Sequence, residues 1–140
     1  MAWLDESLDE LARQPVCGYV VGGDAFSEPT ALAALALLAH DRTSAARPAL
    51  DWLANMQSPE GLLGLNQDEP WPHWPTSMAI LAWLAAGDPT SYEANVRRAT
   101  DALLSVEGQP VPFSDAIGHD VTIVGWPWVE TTHSWMEPTA

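Results

Sequence analysis

Ser27-Glu28-Pro29-Thr30-Ala31-Leu32-Ala33-Ala34-Leu35-Ala36-Leu37-Leu38-Ala39 is the stretch that decides the fold. Ser27 can cap a first turn, Glu28 suits the positive end of a helix dipole, and Pro29 is tolerated at a helix start. Residues 31–39 are then alanine and leucine without a polar break. A helix that is apolar on every side needs other helices around it. Its many alanines allow those neighbours to come close. The run is too short to cross a bilayer, which takes about 20 apolar residues.

Moving outward, apolar residues keep a helical spacing and not an alternating one. Residues 1–13 place Leu4, Leu8 and Leu11 on one face and Asp5, Glu6, Asp9 and Glu10 opposite, the pattern of an amphipathic surface helix. A loop with Pro15, Gly18, Gly22 and Gly23 follows. A third helix is expected over residues 44–57, burying Leu50, Trp52 and Leu53 and wetting Arg47, Asp51 and Asn55. Pro48 limits how early it can begin. A fourth, nearly uncharged helix is expected over residues 75–86, ended by Gly87-Asp88-Pro89. The fifth should open with Thr90 as N-cap and Glu93 three residues on, a capping box, and run to Val106. Residues 107–134 are rich in glycine, proline and aromatics, with a short strand expected at 121–124. A further helix start is expected at Glu137-Pro138-Thr139-Ala140. The fold class is therefore all-α. An N-terminal helix and linker occupy 1–17, and helix pairs, incomplete at the C-terminal end, occupy 18–140.

The chain has 140 residues, five arginines, no lysine and a formal charge of −14. Such a balance excludes a nucleic-acid interface, which needs clustered basic groups, and a polybasic membrane anchor. A hydrophobic content of 47% with eight tryptophans excludes a disordered chain. Cys17 is alone, so no disulfide framework exists, and a cytoplasmic location is expected.

Glu28-Pro29-Thr30-Ala31 recurs as Glu137-Pro138-Thr139-Ala140, with a looser copy, Trp74-Pro75-Thr76-Ser77, between them. The threonines are 46 and 63 residues apart, and each copy follows a glycine-containing turn. Together with the alternation of apolar and amphipathic helices, this points to stacked helix pairs with loops of variable length. Helix capping alone would also account for the tetrapeptide.

The stretch from Arg47 to Gly61 resembles a QW repeat. Its places are Arg47, the aromatic-aliphatic pair Trp52-Leu53, Gln57 and Gly61, with Leu63 where a tryptophan is expected. Gly125-Trp126-Pro127-Trp128, leading to Ser134-Trp135-Met136-Glu137, resembles the junction where the next inner helix begins. These features are similar to the prenyltransferase and squalene oxidase repeat superfamily, which includes squalene-hopene cyclases, class II terpene cyclases and protein prenyltransferase β subunits. The resemblance implies a partial α/α toroid, with apolar inner helices and amphipathic outer helices around a cavity for an isoprenoid or other apolar small molecule. It also implies that the open edge is covered by the remainder of a longer chain or by self-association.

The superfamily's Asp-x-Asp-Asp acid and Asp-Asp-x-x-Asp magnesium motifs are absent, since no two aspartates are adjacent. Cys17 lies before the first inner helix, away from the place of a zinc ligand. No metal and no cofactor is expected, and the 140 residues alone are expected to be inactive. Trp52 and Trp83 are read as packing residues from their helical phase. Trp74, Trp126, Trp128 and Trp135, with Glu130 and His133, are the pocket candidates, because aromatic faces bind cations or stack on rings and a histidine beside carboxylates can move protons. The same residues also suit ordinary packing or a solvated loop. A terpene-cyclase or prenyltransferase-like role, a non-catalytic binding module and a carbohydrate-active toroid all remain compatible with this pattern.

Overall fold

A computed structural model describes residues 2–88, 90–110, 112, 113, 115, 116, 120 and 125–127. Five helices are present among them: α1 (Ala2–Arg13), α2 (Ser27–Ala39), α3 (Thr43–Met56), α4 (Pro75–Ala85) and α5 (Glu93–Ser105). No strand is present among the described residues. The expected strand at 121–124 and the helix start at 137–140 lie outside them.

The apolar helices α2 and α4 pack against each other, α3 packs on α2, and α5 packs on α4. One core runs through all five, built from Leu8, Ala31, Ala34, Leu37, Leu50, Leu53, Leu63, Ala79, Trp83, Tyr92 and Ala99 among others. Alanines at the α2–α4 seam leave little side-chain volume between the backbones, so the two helices can approach closely. Their buried faces are Thr30, Ala31, Ala33, Ala34 and Leu37 on α2, and Thr76, Ala79, Ala82 and Trp83 on α4. Leu32, Leu81 and Leu84 are exposed, so neither helix is surrounded on every side by the described residues.

The amphipathic helices behave as their charge pattern dictates. Leu8 of α1 is buried while Asp5, Glu6, Asp9 and Glu10 face water, and an Arg42–Asp9 ion pair ties α1 to the start of α3. Arg97, Arg98 and Asp101 of α5 are exposed, and Ala99 and Ala102 are buried.

Three helix starts differ in detail from the sequence expectation. Ser27 is the first residue of α2, and the N-cap is Phe26 in extended backbone. The first helical N–H, that of Ser27, donates to the Leu65 carbonyl at 2.7 Å. The expected box on Thr90 does not form, because Tyr92 is the N-cap of α5. The Thr90 and Ser91 hydroxyls instead donate to Asp88, whose short carboxylate also accepts the Thr90 N–H. This local turn competes for the groups a cap would use. Pro48 stands in the sixth position of α3, inside the helix. Ser44, whose carbonyl loses its partner there, is exposed, so water can replace the missing bond.

Candidate functional site

Two clasps of the same construction set up the starts of α2 and α4. The Thr30 hydroxyl accepts the Cys17 N–H at 3.2 Å and donates to the Cys17 carbonyl at 3.0 Å. The Thr76 hydroxyl accepts the Leu63 N–H at 2.9 Å and donates to the Leu63 carbonyl at 3.4 Å. Each closes a 13-residue loop. A glycine follows the clasped residue in both copies, and a Cβ there would overlap backbone: that of Asp24 at Gly18, that of Pro70 at Gly64. The repeat spacing of 46 residues is thus a backbone device, in which a hydroxyl at one point answers both polar groups of another.

The residues of the QW-like stretch converge on α5. The Gln57 amide nitrogen donates to the Gly61 and Asn95 carbonyls, both at 2.9 Å, and its oxygen accepts from the Asn95 amide at 2.9 Å and from Arg98. Gly61 has a φ of 104°, and a Cβ there would overlap the Arg98 carbonyl, so only glycine lets α5 sit this close. Leu53 and Leu63 are fully buried, and Trp52 packs on the core half-exposed. Leucine thus occupies core space at the position where the resemblance expects tryptophan. The Arg47 guanidinium lies 5.7 Å from the centre of the Tyr92 ring. The Tyr92 hydroxyl donates to Asp51 at 2.6 Å, and burial followed by this bond pushes the phenol above its ordinary pKa. The Trp83 indole donates to the Leu50 carbonyl at 3.2 Å, which fixes its role as a packing residue.

The chain presents a groove of about 790 Å³ between the loop from Ser58 to His73 and the C-terminal end of α5. Met56, Leu62 and Ala102 form its apolar part, and Glu60, Trp71, His73 and Glu107 its aromatic and charged part. The loop is held open by its own bonds. Ser58 N–H reaches the Leu62 carbonyl at 2.8 Å, Leu65 N–H reaches the Glu69 carbonyl at 2.9 Å, and the Asn66 side chain accepts from Asp68 and Glu69. The Trp71 and His73 rings lie 4.2 Å apart and tilted by 37°, with a cis peptide bond between Trp71 and Pro72. Trp71 is 51% exposed. The backbone N–H of Glu60 and the Ser58 hydroxyl hold the Glu60 carboxyl below the usual carboxylate range, with a smaller contribution from His73.

No family model, curated protein or solved structure matches this chain.

Of the pocket candidates, Trp74 is the half-buried N-cap residue of α4. Trp126 donates its indole N–H to the Leu103 carbonyl at 2.7 Å, pinning a distant segment to α5. Neither lines the groove. Trp128, Glu130, His133 and Trp135 lie outside the described residues. The groove residues Glu60, His73 and Glu107 are not among the candidates that the sequence pattern singles out. The local signal was the dense run Trp71-Pro72-His73-Trp74, but its apposition to α5 is a long-range contact with no periodic trace. Among the described residues no group of three metal-binding side chains comes together, and no helix is long and apolar enough to cross a membrane.

Proposed function

We propose that this chain is part of an α/α toroid of the terpenoid-cyclase or prenyltransferase type, with α2 and α4 as inner helices walling an apolar site for an isoprenoid. The observation that carries this reading is the doubled helix pair. An apolar helix begun by a proline-threonine clasp is followed by an amphipathic one, twice, at a spacing of 46 residues. The Gln57–Gly61 junction at the seam between the pairs adds support, since it gives each residue of the motif a bonding or packing reason to be there. Exposed Leu32, Leu81 and Leu84 supply apolar surface for a lipid-like chain or for further helices of the ring.

In this reading the 140 residues provide wall and not chemistry. No adjacent aspartates are available to protonate an alkene or hold a magnesium diphosphate. The test is incubation of the chain with squalene and with farnesyl diphosphate, with products followed by mass spectrometry and binding by calorimetry. Saturable binding without turnover is the expected result. Turnover overturns the inactivity of the segment, and absence of binding to either compound overturns the isoprenoid reading.

A further inference from the structure

The groove beside Trp71 is a separate matter from the apolar inner helices, and its chemistry differs from theirs. Its size falls in the range of small-molecule sites, about 300–1,000 Å³. Three of the polar groups that could read a sugar are occupied inside the chain. The Ser105 hydroxyl donates to the Ala102 carbonyl at 2.7 Å, the Ser58 hydroxyl serves the Glu60 carboxylate, and the Asn66 oxygen takes two backbone N–H groups. What the groove offers to an incoming molecule is an exposed indole with His73 against it, two carboxylates, the Gln67 amide and an apolar floor of Met56, Leu62 and Ala102.

No arginine lines the groove among the described residues, and the chain contains no lysine. An anionic ligand such as a diphosphate would meet Glu60 and Glu107 without a permanent counter-charge. The overall charge of −14 adds a field that concentrates cations at the surface and repels anions. Glu60 is also a poor general acid, because its hydrogen bonds favour the ionised form. An indole face and carboxylates around an apolar floor are the complement of an ammonium ion carrying a hydrocarbon group. The cation sits over the ring and beside the acids, and the hydrocarbon covers the floor.

We propose that the groove bounded by Trp71, Glu60 and Glu107 is a binding site for a small organic ammonium ion with an apolar substituent. This assignment does not rest on the toroid reading, and it stands or falls on ligand charge.

The test is calorimetric titration of the whole chain with benzyltrimethylammonium, benzyl alcohol, phenyl phosphate and methyl glucoside at low salt. Benzyltrimethylammonium should bind with one site per chain, and the other three should bind at least about tenfold more weakly, because each lacks the cation that the ring and the acids attract. Raising the salt from 20 to 200 mM should weaken the ammonium several-fold, since the Debye length shrinks from about 20 to about 7 Å over that range. Trp71→Ala should abolish binding. Glu60→Gln and Glu107→Gln should each weaken it about three- to tenfold. All three side chains are exposed, so circular dichroism should report an unchanged fold. Equal or tighter binding of the sugar, the alcohol or the phosphate overturns the assignment. So does unchanged ammonium binding by Trp71→Ala, or no ammonium binding at millimolar concentration.

Discussion

The two helix pairs share a backbone design and differ in what they put around it. In the first, the threonine clasp grips half-buried Cys17, the equivalent of Trp83 is the smaller Leu37, and the turn after the inner helix places Asp41 at a φ of 59°. In the second, the clasp grips fully buried Leu63, Trp83 fills the seam and reaches the Leu50 carbonyl, and Gly87 occupies the left-handed turn at 71°. The difference teaches that the repeat is carried by hydroxyl-to-backbone bonding and by left-handed turns. Core volume is adjusted separately in each copy.

The largest expected effect separates the two seam residues. Trp83→Ala removes a large buried ring and its indole hydrogen bond to the Leu50 carbonyl, and should cost about 3–5 kcal/mol. Leu37→Ala at the equivalent place should cost about 2–3 kcal/mol. Chemical denaturation measures both, and equal costs would mean that the second pair can collapse around the lost ring.

Next come the clasps. Thr76→Val keeps the shape and strands two buried polar groups of Leu63, so it should cost about 1–3 kcal/mol. Thr30→Val should cost about 1 kcal/mol or less, because Cys17 is half-exposed and water can reach its backbone. The reverse order in denaturation midpoints would break the claim that burial of the clasped residue sets the cost.

The turns predict opposite signs. Asp41→Gly relieves a left-handed residue that carries a side chain and should stabilise by about 0.5–1 kcal/mol, whereas Gly87→Ala introduces that strain and should destabilise by about 1 kcal/mol. Thermal melts of the two variants should therefore move apart from the parent.

The smallest effect concerns acid. Hydrogen bonds from Ser91 and Thr90 depress the Asp88 carboxyl to about 2, below its ordinary value of 3.8. Its contribution is therefore present above about pH 4 and is lost as pH falls through the interval toward 2. Asp88→Asn should melt slightly below the parent at pH 6, and the two curves should converge by pH 2. Because the carboxylate is exposed to solvent, the gap should shrink further in high salt.

Much of this architecture was legible in the sequence. An unbroken apolar run in α2, proline at the start of α4, and leucines at helical spacing in α1 specify helices that stack, although Leu32 of the run stays exposed. What escaped was non-local. Pro48 was tolerated inside α3 because its exposed side gives water access to the freed carbonyl. Thr90 left its expected cap because Asp88, two residues upstream, offered a nearer acceptor. The groove escaped because its two sides, Glu60 and Glu107, belong to different connections and meet only when α5 docks. The repeat of Pro-Thr was visible as letters, but its meaning required the partner 13 residues upstream.

The first N–H of α2 is satisfied by the Leu65 carbonyl, a group that belongs to the loop clasped by the second repeat. The first helix pair cannot complete its own hydrogen bonding until the next pair has begun to form. Each unit therefore contributes part of its neighbour's stability, and melting should propagate across the seam as one transition and not unit by unit. Isolated fragments carrying residues 1–57 would lack the Leu65 carbonyl, and their α2 should be less helical than in the whole chain.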